Sequence, residues 1–284
     1  MLARQRQERI LDHLRRHGGV RVSELVGLLD VSDMTVRRDI ETLARRGLLE
    51  RVHGGATALG GRSSEEPGFA AKSALAREQK IAIARAAAEL VGDGESVAIS
   101  AGTTTLAVAR ELLPRTDLTV VTNSPPVADL MHDPARPDRT VVLVGGVRTP
   151  SNALVGPVAV AALRTLHVDT LILGVHGVTE QAGLTTPNLL EGETSRALVA
   201  SARRVVVTAD HTKWGVIGLS TIAELSRVDV LVTDHGISPD ARHSLESAVG
   251  QLIVAAPRVD DGGTAEGGPP ADPPADGEQE QDAS

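Results

Sequence analysis

The sequence predicts an α/β protein, and three observations carry that prediction. Residues 1–57 show three short helical patterns followed by an apolar hairpin pattern with glycines at its tip. From residue 76 to residue 256, short apolar runs alternate with amphipathic stretches of helical period. Residues 257–284 consist largely of Gly, Pro, Asp, Glu and Gln. The first pattern is that of an N-terminal winged helix-turn-helix, and the second that of a mostly parallel sheet covered by helices on both faces. The third cannot bury enough apolar surface to order itself. The expected division is a helix-turn-helix domain over 1–57, a linker over 58–75, an α/β domain over 76–256 and a disordered acidic tail over 257–284.

Taken in order, Ile10, Leu11 and Leu14 give residues 4–17 an apolar stripe that Gly18-Gly19 stops. Ser23 is placed to cap a second helix carrying Leu25, Val26, Leu28 and Leu29. After a break at Asp30-Val31, Ser32 caps a third helix running to about Arg46, with Gly47 at its end. "LLERVHGGATAL" sets two apolar stretches around Gly54-Gly55, the pattern of a β-hairpin. "GGRSSEEPGF" has no apolar period and reads as linker. Strands are expected at 96–100, 118–122, 140–144, 169–174, 204–208, 228–233 and 251–255. Helices are expected between most of them, among them 78–91, 104–113, 157–166 and 191–202. The chain has no internal repeat.

Hydrophobic residues make up 41% of the chain, enough for a sizeable core, yet no run of 18 apolar residues offers a membrane span. The amino terminus, "MLARQRQERI", lacks the apolar stretch of a secretory signal. With no cysteine, disulfides, thiolate nucleophiles and cysteine metal sites are excluded. A cytoplasmic location without a membrane partner is therefore expected. The formal charge of −8 argues against a general polyanion binder, but its distribution reverses that. Residues 1–60 hold 11 Lys/Arg against 8 Asp/Glu, a balance of +3. Residues 257–284 hold one Arg against eight acidic residues, a balance of −7. The amino-terminal domain thus has the local electrostatic footprint that DNA contact needs.

At 100° per residue, Val36, Ile40 and Leu43 share one side of the third helix and must face the other helices. Arg38 lies almost opposite, with Met34 and Arg45 near it and Thr35 and Arg37 flanking that face. Ser32, Met34, Thr35, Arg37, Arg38 and Arg45 are the candidate DNA-facing residues, placed as a recognition helix places them for a major groove. Two readings of the arginine pair compete: a solvated surface, or contact with a polyanion. The succession of a short helix, a tight turn, a capped arginine-bearing helix and a glycine-tipped hairpin favours the second. Asp39 either orients one of the arginines or relieves charge on the helix surface. "VSDMTVRRDIETLARRGLLERVHGGA" resembles the signature of the DeoR family of bacterial transcriptional regulators, from the VS-x-x-T-[IV]-RRD opening to the closing His53-Gly54-Gly55-Ala56. The resemblance implies that Thr35, Arg37 and Arg38 contact double-stranded operator DNA and that the hairpin, with His53, acts as the wing.

Several expected strands end alike: apolar residues, then small polar residues or glycine, then a helix. "SVAISAGTTTLAVARELL" is the clearest. Its strand ends at Ser100, Gly102 permits a sharp turn, and Thr103, Thr104 and Thr105 open the helix. Hydroxyls and unpaired N–H groups then meet at a positive helix terminus, an anion site. "LTVVTNS" (Asn123, Ser124), "VVLVGG" (Gly145, Gly146) and "LILGVHG" (His176) supply further polar ends, and "VVVTADHTKWG" adds the cation Lys213. In an open α/β sheet such ends line the crevice where ligands bind, so their convergence predicts a small-anion pocket. Residues from about 75 to 234 resemble the DeoR carboxy-terminal sensor domain, similar in fold to ribose-5-phosphate isomerase-type proteins. The matching landmarks are "AGTTT", "VTNS", "VLVGG", "GLTTPN", "ADHTKWG" and "VLVTD".

That resemblance implies a phosphorylated sugar as effector, held by Gly102, Thr103, Thr104, Thr105, Asn123, Ser124, Gly145, Gly146 and Lys213. It also places a carboxylate, Glu193, on the helix after "GLT". It further implies a homo-oligomer joined by this domain, and a repressor of carbohydrate-metabolism genes that sugar binding releases from DNA. Two residues depart from the family pattern. Ser100 stands where Asp is usual, which removes a hydrogen-bond acceptor for a sugar hydroxyl. His176 stands where Asp or Asn is common, and is either a ligand change, as a group titrating near neutrality, or a packing substitution.

The competing reading is a working sugar-phosphate isomerase fused to a DNA-binding module. Isomerisation needs a carboxylate to carry a proton between adjacent carbons. Glu193 and Asp210 are candidates, but Ser100 leaves the strand end without one, so neither a catalytic residue nor a cofactor is expected. His13 and His17 have a metal-gripping spacing without a third ligand, so no metal is expected. With Phe69 and Trp214 as the only aromatics, base stacking cannot be widespread, which disfavours single-stranded RNA.

Overall fold

Apolar residues every three or four positions give the amino-terminal domain its helices, α1 (Ala3–His17), α2 (Val22–Leu29) and α3 (Asp33–Arg45). The computed structural model of the chain describes residues 2–17, 19–46, 48–52, 54–58, 73 and 76–256. Gly18, Gly47, His53, Phe69, nearly all of the linker and the acidic tail lie outside the described residues. The wing role expected of His53 and the disorder expected of 257–284 fall there.

Asp30, in the left-handed region at φ 51°, ends α2 and turns the chain into Ser32. The Ser32 hydroxyl accepts from the Thr35 N–H at 3.3 Å, as its capping position predicts. Ser23 does not cap α2. The helix starts two residues earlier, with Arg21 at the cap and the Glu24 carboxylate accepting from the Arg21 N–H at 3.1 Å. The reason is packing: Val22 belongs to the core, and the residues just before it form a strand, β1 (Gly19–Arg21). That strand pairs with the hairpin β2 (Leu49–Val52) and β3 (Gly55–Ala58) in the order β1-β3-β2. Ile10, Leu14, Leu25, Val36, Ile40, Leu43 and Leu49 close the small core.

Asp39 does neither thing expected of it. It is buried on the α1 side of α3, where its carboxylate accepts from Arg6 Nε at 2.8 Å and from Gln7 Nε2 at 3.1 Å. Its place beside Ile40, on the packed side of the helix, takes it away from Arg37 and Arg38 and makes it the polar clamp between two helices.

In the α/β domain the strands follow as β4 (Ser96–Ile99), β5 (Thr119–Thr122) and β6 (Thr140–Leu143), then a hairpin of β7 (Val147–Arg148) and β8 (Leu154–Val155). After β9 (Val168–Gly174) come β10 (Gly177–Thr179) and β11 (Gly183–Thr186), then β12 (Ala202–Thr208), β13 (Ser220–Ala223), β14 (Val230–Asp234) and β15 (Gln251–Ala255). Seven of them form one sheet in the order β15-β14-β12-β9-β4-β5-β6, with every neighbouring pair parallel. β10, β11 and β13 form a small antiparallel sheet.

Side chains alternate across the large sheet. Val97, Ile99, Val120, Ile172, Val206 and Val232 pack against α4 (Arg77–Ala88), α5 (Thr103–Glu111) and α6 (Pro125–Met131). Ala98, Val121, Leu171, Leu173, Val205, Val207 and Leu231 face α7 (Pro157–Leu163), α8 (Leu189–Ser201), α9 (Pro239–Ala248) and the small sheet. The two faces are therefore both covered, as near-continuous apolar strands require. No helix among the described residues is long and apolar enough to cross a membrane.

Because Asp39 and Arg6 are both largely removed from water, Asp39→Ala takes away the buried carboxylate that the Arg6 guanidinium meets at 2.8 Å. The expected cost is about 3 kcal/mol. In scanning calorimetry of the full chain, the transition of the amino-terminal domain should fall while that of the α/β domain stays put.

Candidate functional site

The outer face of α3 presents the residues expected there. Met34 is 78% exposed, and Arg37, Arg38 and Arg45 are exposed beside it. The two arginines of the pair differ. Arg37 is bound four residues back, its Nη2 3.3 Å from Asp33 Oδ2 and its Nε on the other carboxylate oxygen. That hydrogen bond, with the charge of Asp33, holds the guanidinium above its ordinary pKa. Arg38 makes no hydrogen bond or ion pair with its side chain among the described residues. At the amino end of the helix, Ser32 Oγ and Thr35 Oγ1 are hydrogen-bonded to each other at 2.9 Å.

In the large sheet the chain runs outward from β4 to β6, then returns to the other side of β4 as β9 and continues to β15. The crevice of such a sheet opens where the direction reverses, between the carboxyl ends of β4 and β9. Ser100 stands there, buried, with its Oγ accepting from the Gly174 N–H at 3.0 Å. Thr105 Oγ1 donates to the Ser100 carbonyl at 2.7 Å. Asn123 is engaged at both ends of its amide: Oδ1 accepts from the Ala101 N–H at 2.9 Å, and Nδ2 donates to the Leu154 carbonyl at 3.2 Å. Ser124 caps α6, accepting from the Val127 N–H.

These four side chains build the crevice rather than stand open in it. Gly102 and Thr103 are partly exposed at the start of α5, where the first-turn amides have no carbonyl partner within the helix, while Thr104 is buried. Gly145 and Gly146 turn the chain from β6 into β7. A Cβ on Gly146 would meet the Val155 carbonyl at 2.5 Å, so this glycine is needed for hairpin closure. His176 follows β9, its backbone N–H bonded to the Thr185 carbonyl at 3.1 Å. Lys213 lies half-exposed in the short turn His211–Lys213 after β12. Among the described residues no hydrogen bond joins Lys213 or the Gly145–Gly146 turn to the network around Ser100 and Asn123.

The carboxylate on α8 differs from the one expected. Glu193 is exposed, on the outer side of the helix. Glu191, two residues earlier and so about 200° around the helix, faces inward. Its Oε1 accepts from the hydroxyls of Thr149, at 2.7 Å, and Ser151, and its Oε2 from Thr186 at 3.4 Å. The signal was present in the spacing: Asn188 caps α8, and Glu191 continues the inward line of Thr194 and Leu198. Asp210, the other candidate base, is buried and spends one oxygen on the Thr212 N–H, at 3.0 Å, and hydroxyl.

Beside it, Asp234 is fully buried and accepts from the His211 ring Nδ1 at 2.8 Å, the His211 N–H at 2.8 Å and the Gly236 N–H at 3.0 Å. Burial alone would raise this carboxyl, but those hydrogen bonds outweigh it and hold Asp234 below its ordinary pKa. Among the described residues no group of three His, Cys, Asp or Glu side chains could hold a metal ion.

Glu191→Ala is expected to cost about 1.5–3 kcal/mol, the worth of hydrogen bonds to a charged acceptor. Glu193→Ala should stay within about 0.5 kcal/mol, which thermal unfolding can measure. For Asp234 the sign follows from its lowered pKa. Its stabilisation is complete above the ordinary carboxyl value of 3.8 and is lost as pH falls through the lower folded value. The unfolding midpoint of the α/β domain should drop in that acid range, and Asp234→Asn should flatten the drop.

Residues 6–60 match the DeoR-like helix-turn-helix domain, and residues 75–235 match the DeoR C-terminal sensor domain. The chain is 36% identical over 249 residues to the HTH-type transcriptional regulator GlpR of Haloferax volcanii, covering 87% of this chain and 96% of that protein. It is 34% identical over 232 residues to the HTH-type transcriptional repressor CsqR of Escherichia coli K12, covering 81% and 87%. A further likeness is to the transcriptional repressor AccR of Agrobacterium fabrum, 34% identical over 234 residues, covering 81% and 89%. A ribose 5-phosphate isomerase A structure from Methanocaldococcus jannaschii aligns at a TM-score of 0.35 and 19% identity, covering 49% of this chain and 54% of that one. No function follows from so distant a likeness. With both domains matched, and relatives alike along nearly their whole length, the chain belongs to the DeoR family of helix-turn-helix transcriptional regulators.

Proposed function

We propose that this regulator represses carbohydrate-metabolism genes from the cytoplasm and leaves its operator when a phosphorylated sugar fills the crevice at the carboxyl ends of the sheet. The observation that carries the reading is Arg38, exposed and without a side-chain partner among the described residues, on the face of α3 opposite the core. Arg38, with Arg37, Arg45, Met34 and the Ser32–Thr35 hydroxyl pair, would enter the major groove of double-stranded DNA. Helix-turn-helix proteins commonly read paired half-sites as dimers, and the sensor domain would hold this homo-oligomer together.

Within the crevice, the amides that open α5 and the Lys213 ammonium would take the phosphate. Thr103 and His176, which follow the carboxyl ends of β4 and β9, and Glu191 on α8 would meet the sugar. Effector release requires that the sugar bind the DNA-free arrangement more tightly than the DNA-bound one, with the segment between the two domains carrying the change. An isomerase fused to a DNA-binding module is the poorer reading, because Asp210 is buried in a cap and Glu193 points outward.

The test is gel retardation of the DNA upstream of the chain's own gene, at two salt concentrations, with and without a series of sugar phosphates. Specific retardation, weakened by at least one sugar phosphate, is the expected result. Arg38→Ala should weaken specific binding by about 1–3 kcal/mol if it reads a base, and leave ligand-induced thermal stabilisation intact. Retardation that no sugar phosphate alters would remove the effector half of the proposal; absence of specific retardation would remove all of it.

A further inference from the structure

His211 opens the turn that follows β12, and β12 is the next strand to β9 on the side away from β4. Two strand spacings, about 10 Å, separate its strand end from that of Ser100. The ring is fixed on several sides. Nδ1 and the backbone N–H of His211 both bond to Asp234, and the Gly236 N–H completes the carboxylate's set. Gly236 also presses on the ring: a Cβ built there would lie 2.5 Å from Nδ1 and 2.7 Å from Cγ, so only glycine allows the imidazole this place.

A structural cap alone does not call for these parts, since Asp210 already closes the same turn through Thr212. Asp234, fully buried, spends all three of its hydrogen bonds on His211 and the glycine behind it. A carboxylate acceptor at 2.8 Å selects the tautomer that carries its proton on Nδ1, in which Nε2 is an acceptor. The His211 side chain is 21% exposed, and with Nδ1 on the buried carboxylate, Nε2 is the ring nitrogen left for a ligand.

We infer that His211 is a specificity-determining residue of the effector site, accepting a hydrogen bond at Nε2 from a hydroxyl of the phosphorylated sugar, with Asp234 as the positioning residue that fixes the ring. The inference rests on the effector crevice proposed above and gives it a division of work. The α5 amides and Lys213 take the phosphate whatever it is attached to, and His211 selects among the sugars.

The experiment titrates inorganic phosphate, ribose 5-phosphate, glucose 6-phosphate and fructose 6-phosphate into the full chain by calorimetry, with 15N spectra of the histidine rings. At least one sugar phosphate should bind more tightly than inorganic phosphate. His211→Ala should weaken that sugar phosphate about tenfold, the worth of one hydrogen bond, and leave inorganic phosphate unchanged. His211→Gln, whose carboxamide oxygen reaches toward the Nε2 position, should recover part of the loss, and Asp234→Asn should weaken the sugar phosphate too. The Nε2 resonance should move on adding that sugar phosphate and not on adding inorganic phosphate, a readout that a purely structural histidine would leave still.

If His211→Ala, with its unfolding midpoint retained, binds every sugar phosphate as the parent does, or if Nε2 does not respond, His211 is outside the site and the phosphate reading survives without it. If the parent chain binds neither inorganic phosphate nor any of the three sugar phosphates, the effector crevice itself is refuted and this inference with it.

Discussion

A parallel sheet covered on both faces leaves its polar chemistry one place to go. Along each central strand, alternate residues are committed to opposite apolar layers: Val97 and Ile99 to one, Ala98 to the other, and Val206 against Val205 and Val207 in the same way. The backbone between them is spent on the ladder. Only where the ladder stops do amides and hydroxyls become free to meet, and the strand order puts the main opening between β4 and β9. Ser100, Asn123, Thr105, Asp210 and Asp234 gather at the carboxyl ends for this reason.

The same constraint sorts those residues. Some must hold the loops in place before any ligand can be received. Ser100 ties β4 to β9, and Asn123 ties the start of the α5 loop to β8, so the crevice wall is a hydrogen-bonded unit of three strand ends. Among the described residues, Thr103 and Lys213 keep side chains that are not spent in this way. In the small amino-terminal domain the corresponding anchor is Asp39, which locks α3 against α1 and so fixes the direction in which the opposite face looks.

Much of this was legible in the sequence. All seven strands of the large sheet coincide, within a residue or two, with the apolar runs, because a strand buried on both faces must be apolar throughout. The outward Arg38 of the third helix followed from helical period, and the cap from a serine after the Asp30-Val31 break. What was not legible has physical causes. β1, β7, β8, β10, β11 and β13 are two to four residues long, some rich in Gly and Thr, too short to show a period. Glu191 was hidden by Glu193, since "EGE" offers two carboxylates and only the helix phase set by Asn188 separates them. Asp39 lies next to the arginines in sequence, and its true partners, Arg6 and Gln7, are more than thirty residues away. Ser100 and Asn123 read equally well as ligand groups or as staples, because residue type does not say where an amide or hydroxyl is already spent.

The pairing of Arg37 with Asp33 has a consequence for how this protein would respond to ionic strength. A guanidinium that carries its own carboxylate needs no mobile anion from solution, so its transfer to a DNA phosphate would expel few ions. It would also strand Asp33 beside a polyanion. Arg38, having no such internal companion among the described residues, would bring its full share of ion displacement. Two adjacent residues of the same type thus fall into different classes of polyelectrolyte behaviour, and counting basic residues on this helix would overstate how steeply binding weakens with added salt.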